Sequence, residues 1–256
     1  PDFFTNKSQK LLIKSQKQQN NERKLVINSQ SIFIVGMPRS GSTLAESILS
    51  MNPIVKDLGE TNILEKSFLE WEKQDHKISL QEIYLQKINN DINKYKITTN
   101  KWLYNYQYAG IIANQLTNAK IIYCFRNPLD NILSIYKAHF ARGNNYSSSL
   151  IDCANVYLDQ RQIMKEYQKR FGEKIYNLNY DLLVSNPTEE IENLISWLEW
   201  QWDNSYLSPH LTKRSISTRS NVQVRSPINS RSIHGWKNYK EMLKPAIEII
   251  SKFSEY

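Results

Sequence analysis

Cysteine is scarce in this 256-residue chain: Cys124 and Cys153 are the full complement, with no CxxC spacing and no cluster around them. That argues against a disulfide framework and favours a reducing compartment, so a cytoplasmic location is expected. Cys124 lies in an apolar run and reads as a small buried hydrophobe. The four histidines, His76, His139, His210 and His234, stand apart without ligand spacing, and no metal is expected on them. Apolar runs are short. None approaches the roughly 18 residues that cross a bilayer, and no signal peptide is visible. The chain opens on Pro1 rather than Met, so an upstream segment is expected.

What is present suits a globular protein. Apolar residues make up 40% of the chain, with six Trp, fifteen Tyr and eight Phe, which is too apolar for a disordered chain. The length allows one large core. The net charge of +8 suits an anionic ligand, nucleic acid or an acidic surface, and does not choose among them.

Residues 1–30 are polar and read as a helix or tether leading into a single domain over 31–256. Ser31-Ile-Phe-Ile-Val-Gly36 is a buried strand ending in a tight loop, and the helical spacing of Leu44, Ile48, Leu49 and Met51 follows it. The pattern then predicts two helices over 60–95 with a break at 74–77, a short strand at 97–99 and a helix over 106–116. A second buried strand is expected at 120–125, with a helix opened by Pro128. A long amphipathic helix at 147–170, a strand at 174–180 and a helix capped by Asn186 follow. Residues 203–232 are rich in Ser, Asn and Arg and read as a long mobile loop, followed by a helix over 232–243 that Pro245 separates from a last one. Strands alternating with helices predict an α/β fold, a central, mainly parallel sheet flanked by helices.

The sharpest feature is Gly36-Met-Pro-Arg-Ser-Gly-Ser-Thr43, which joins a strand to a helix N-terminus. Small residues let backbone N–H groups converge on an anion, and the helix dipole adds attraction. Arg39 contributes a fixed positive charge; Ser40, Ser42 and Thr43 contribute hydroxyls. Ser42 rather than Lys follows Gly41, so this is not the Walker loop of ATP kinases.

The segment Phe33–Leu44 resembles the 5′-phosphosulfate loop of sulfotransferases that use 3′-phosphoadenosine 5′-phosphosulfate (PAPS). The likeness is greatest to the branch of tyrosylprotein sulfotransferases and of bacterial enzymes with N-terminal tetratricopeptide repeats, which implies such repeats upstream. Further motifs follow in the family's order. Gly59-Glu-Thr61 matches a Gly-Glu-Thr segment, and Thr99-Asn-Lys-Trp102 a lysine segment. Arg126 with Ser134 matches the 3′-phosphate motif, Tyr180-Asp-Leu-Leu183 a Tyr-acid-x-Leu segment, and the stretch 225–236 a final Ser-x-x-x-Trp motif. The P-loop-containing nucleoside triphosphate hydrolase-like fold is thereby implied.

The resemblance implies sulfuryl transfer from PAPS, without a metal, to a hydroxyl acceptor: a peptide tyrosine, a glycan or a small alcohol. Arg39 would stabilise the leaving oxygen, with Ser40, Gly41, Ser42 and Thr43 donating to the same group. Lys101 would be a second cation at the transferred group and Glu60 the general base. Arg126 and Ser134 would take the 3′-phosphate. Tyr180 would touch the adenine, and Arg225 and Lys237 would close over the nucleotide. There are departures: Asn100 stands where relatives carry Asp, and Ala138 where tyrosylprotein enzymes carry a basic residue, with Lys137 adjacent. A non-catalytic nucleotide-binding module and a P-loop nucleotide kinase remain alternative readings. The basic segment prompts nucleic-acid binding, but no RNA- or DNA-binding motif accompanies it, so no specific nucleic-acid partner is expected.

Overall fold

A computed structural model describes residues 2–17, 29–88, 96–138, 140, 144–212 and 225–253. The apolar run before the phosphate loop is the middle of a sheet. It forms β1 (Gln30–Gly36), with parallel neighbours on both sides, β3 (Ile97–Asn100) and β4 (Ala119–Phe125). β2 (Val55–Asp57) lies outside β3, and β5 (Ile175–Asn179) outside β4. The order is β2-β3-β1-β4-β5, parallel throughout. The predicted α/β architecture is the one observed. β2 is an addition: three residues with a lysine in the middle carry no apolar run to announce it.

A parallel strand covered on both faces must be apolar at nearly every position. Phe33 and Val35 face one side with Ile121 and Tyr123, whereas Ile32 and Ile34 face the other with Ile122 and Cys124. The first side is covered by α1 (Asp2–Lys17), α3 (Ile63–Lys73), α4 (Leu80–Lys87), α5 (Ala109–Gln115) and α7 (Leu150–Phe171). The second is covered by α2 (Ser42–Leu49), α8 (Tyr180–Ser185) and α9 (Pro187–Trp197). A third cluster joins α7 to α6 (Pro128–Tyr136) and α10 (Lys244–Ile250). Among the described residues, no helix is long and apolar enough to cross a membrane.

Several local expectations change. Of the helix or tether expected at the start, residues 2–17 are the helix, and it packs on the core: Leu11 is buried, and Gln107 Nε2 donates to the Phe4 carbonyl and Ser8 Oγ, both at 3.2 Å. The long helix starts at Leu150, where Ser149 Oγ accepts from the Asp152 N–H, and residues 145–148 form a short 3-10 turn before it. Asn186 precedes its helix without a side-chain capping bond, whereas Asn127 caps α6 as it accepts from the N–H of Leu129 and of Asp130. No helix spans 232–243. A 3-10 turn covers Gly235–Tyr239, and Pro245 sits in the first turn of α10, where a missing N–H costs nothing. Residues 203–212 are not mobile loop but two 3-10 turns anchored by the buried Tyr206 and Pro209, apolar anchors that the surrounding Ser and Asn obscure. Residues 213–224 of the basic segment, and His139, lie outside the described residues.

Gly36 ends β1 at φ +145°, and a Cβ there would stand 2.2 Å from the Cys124 carbonyl oxygen. Gly36→Ala is expected to cost at least about 1–3 kcal/mol, the size of a strained backbone alone. Urea unfolding checks this, and an unchanged midpoint would show that the two strand ends can part freely.

Candidate functional site

All five strands point the same way, so their carboxyl ends share one edge, where open α/β sheets bind ligands. Each strand leads into a residue singled out from the sequence. β1 leads into the loop 36–43, β2 into Glu60, β3 into Lys101, β4 into Arg126 and β5 into Tyr180.

The first loop turns sharply. Arg39 (φ 67°) and Gly41 (φ 93°) both take left-handed backbone, and α2 begins at Ser42. Gly41 has no alternative, since a Cβ there would lie 2.3 Å from the Tyr180 ring. Asn131 Nδ2 holds the loop from α6 by donating to the Pro38 carbonyl at 2.9 Å. Arg39 Nε donates to Ser134 Oγ at 3.1 Å, so the two ends of the expected donor site touch.

Arg126 is nearly buried. Its guanidinium lies 4.7 Å from the Tyr180 ring centroid and donates to the Ser232 carbonyl at 2.5 Å. The carboxylates of Asp130 and Asp181 each stand 4.0 Å from it. The Tyr180 hydroxyl and Ser232 Oγ share a 2.6 Å hydrogen bond. Asp130 accepts from the backbone N–H of His234 at 2.7 Å and of Trp236 at 2.9 Å. The chain from 232 to 236 is thus pinned across the strand ends.

These contacts enclose a cavity of about 690 Å³. Arg39, Thr43, Arg126, Ser134 and Tyr180 line it together with the backbone-bearing face of Gly41, and residues 226–232 close its far side. Ser40 and Ser42 do not line it; both are buried. Arg225 donates instead to the Thr212 carbonyl at 2.7 Å, and Lys237 is exposed away from the cavity. Lys137 and Arg231, which were not among the expected site residues, do line it. Lys137 lies one helical turn beyond Ser134, a spacing that could have flagged it. Arg231 was one of several arginines in a basic segment, and nothing in its spacing set it apart.

Glu60 and Lys101 form a separate pair. Lys101 Nζ donates to Glu60 Oε1 at 2.6 Å; the lysine is 1% exposed, the glutamate 46%. The lysine is fixed by its turn. Its N–H donates to the Gly59 carbonyl at 3.0 Å, and Asn100 Oδ1 accepts from Trp102 N–H and Asn105 Nδ2, both at 3.1 Å. Asn100 therefore serves the turn without the charge an Asp would bring. Burial pushes both the Cys124 and Cys153 thiols up to about 12, which removes them as nucleophiles near neutral pH. Among the described residues, no group of three or more His, Cys, Asp or Glu could hold a metal ion.

The model of the family described as "Sulfotransferase family" matches residues 31–204. A protein of Aquifex aeolicus (strain VF5), described as uncharacterized, is 31% identical over 248 residues, 88% of this chain and 33% of its own length. The protein-tyrosine sulfotransferase of Drosophila melanogaster is 23% identical over 231 residues, 80% of this chain and 46% of its own length. The chain therefore spans less than half the length of either relative. A mouse sulfotransferase solved in complex with PAP superposes with a TM-score of 0.57 at 14% identity, over 87% of this chain and 84% of that one. That likeness shows the fold.

The Asp130 clamp has a direct consequence. Asp130→Ala removes a charged acceptor from two amides, each such bond contributing about 1.5–3 kcal/mol. Hydrogen exchange at His234 and Trp236 is expected to accelerate at least tenfold, while the sheet amides of β1 and β4 keep their protection. Unchanged exchange at both residues would show that the segment is held by other contacts.

Proposed function

Because the chain belongs to the sulfotransferase family, we propose that it transfers a sulfuryl group from PAPS to an acceptor hydroxyl, leaving adenosine 3′,5′-bisphosphate. The observation that carries this reading is the cavity at the strand ends, which sets Arg39 and Thr43 beside Arg126 and Ser134 and adds Lys137 and Arg231. Its volume lies within the roughly 300–1,000 Å³ usual for small-molecule sites. Arg126 Nε, on the cavity wall, is buried without a hydrogen-bond partner among the described residues. A buried donor costs free energy unless paired, and a phosphate oxygen would satisfy it. The PAP of the mouse complex, read as adenosine 3′,5′-bisphosphate, is the product expected here.

PAPS supplies a sulfuryl group already attached to a phosphate leaving group. The protein's part is alignment and charge neutralisation. Glu60 accepts the proton that the acceptor hydroxyl gives up as its oxygen bonds to sulfur. Arg39 stabilises the electron pair that stays on the phosphate oxygen as the old sulfur–oxygen bond breaks. Lys101 orients the Glu60 carboxylate and brings a second cation to the reacting edge. Arg126 and Ser134 hold the 3′-phosphate, with Lys137 supplying the charge that Ala138 lacks. Tyr180 packs against Gly41 and Arg126, and its contact with the adenine belongs to the same proposal. A peptide tyrosine is the first acceptor to try, given the name of the Drosophila relative; glycans and small alcohols follow. The buried free thiols support a reducing, cytoplasmic setting.

Two outcomes are expected. Calorimetry should find adenosine 3′,5′-bisphosphate binding at least about tenfold more tightly than AMP, since one charged contact contributes about 1.5–3 kcal/mol. Equal affinities would remove Arg126 and Ser134 from the 3′-phosphate. Glu60→Gln should leave bisphosphate affinity nearly unchanged and lower turnover by about 10²–10⁴-fold, the range for a lost general base. Wild-type turnover on a true acceptor would mean that another group takes the proton.

A further inference from the structure

Lys101 carries its charge in the interior, at 1% exposure. Buried ammonium groups tend to lose their proton, because desolvation penalises the charged form. Glu60, its nearer partner at 2.6 Å, cannot hold it throughout a reaction in which Glu60 itself becomes protonated. A second carboxylate faces the same ammonium. Glu46, on the second turn of α2 and itself 1% exposed, places Oε2 3.8 Å from Lys101 Nζ. No motif pointed to it.

We propose that Glu46 is a positioning residue that keeps Lys101 charged and in place while Glu60 takes and returns the acceptor's proton. The proposal rests on the sulfuryl-transfer reading of Glu60 and Lys101. In the resting state the ammonium lies between two carboxylates. When Glu60 is neutralised, the pair Lys101–Glu46 remains neutral overall and stays buried without an uncompensated charge. The Cys124 thiol on β4 also faces Lys101, and burial keeps it protonated and uncharged. The placement is structural in origin: α2 follows the phosphate loop directly, so Glu46 ties the reacting lysine to the loop that carries Arg39.

The test uses lysine labelled with ¹³C at Cε, whose chemical shift reports the Lys101 proton, and it needs no acceptor. In Glu60→Gln, a nearly isosteric change at a half-exposed side chain, Lys101 should stay protonated to above about pH 8, against pH 5–6 for documented buried lysines without a partner. Titration near or below neutral pH would overturn the proposal, because Glu46 would then not suffice. In Glu46→Gln, Lys101 should lose its proton at least about one pH unit earlier than in the wild type, the size of an opposite charge at this range. The alkaline limb of kcat/KM should move down with it, and Glu46→Asp should restore most of the difference. A Glu46→Gln enzyme with an unmoved Lys101 titration also overturns it. Failure of the wild type to transfer sulfuryl groups to any acceptor would instead remove the functional reading, leaving the titrations to judge Glu46 separately.

Discussion

Gly36 of β1 pairs with Cys124 of β4 at the carboxyl end of the sheet, where a Cβ would meet the cysteine carbonyl oxygen at 2.2 Å. This close approach makes the two loops leave the sheet side by side. The loop after β1 carries Arg39, and the loop after β4 carries Arg126 and leads into the helix with Ser134. Arg39 can then reach Ser134, and the two cationic ends of the cavity face one space. Tyr180 arrives from β5 and fills the gap left by Gly41, so its ring braces the first loop and the Arg126 guanidinium at once.

Charge is arranged in two layers around that frame. The cavity gathers Arg39, Arg126, Lys137 and Arg231, which concentrates part of the net +8 where an anion would lie. Two acids stand beside it, Asp130 on the cavity wall and Asp181, each 4.0 Å from the Arg126 guanidinium. Asp130 spends its oxygens on the backbone of 234 and 236, and Asp181 on the Asn127 N–H. They are scaffold for the segment and the turn. Carboxylates also surround Lys101, where the opposite need holds: a buried ammonium must be balanced to remain charged.

Legibility followed the locality of the signal. The strands at 30–36 and 119–125 were readable because central parallel strands are apolar throughout, and Asn127-Pro128 because capping chemistry is local. β2 was not readable, since it is three residues long and is recruited by pairing with β3. The helix expected over 232–243 failed because its turns depend on Asp130, more than a hundred residues away. Arg225 and Lys237 were expected from the family resemblance, whereas cavity lining depends on which way the pinned backbone turns, and that brings in Arg231.

The sequence by itself determined the strand–loop–helix and the parallel α/β class, which rest on residue type and spacing within short segments; Arg39, Glu60, Lys101, Arg126 and Ser134 came as a set from the family resemblance. Tertiary structure alone decided how the set divides: Arg39, Arg126 and Ser134 meet in one cavity, while Lys101 turns inward between Glu60 and Glu46. It also decided that Asp130 would clamp the closing segment. These are contacts between groups from 41 to 106 residues apart. Spacing along the chain carries no information about them until the register of the five strands fixes where each loop emerges.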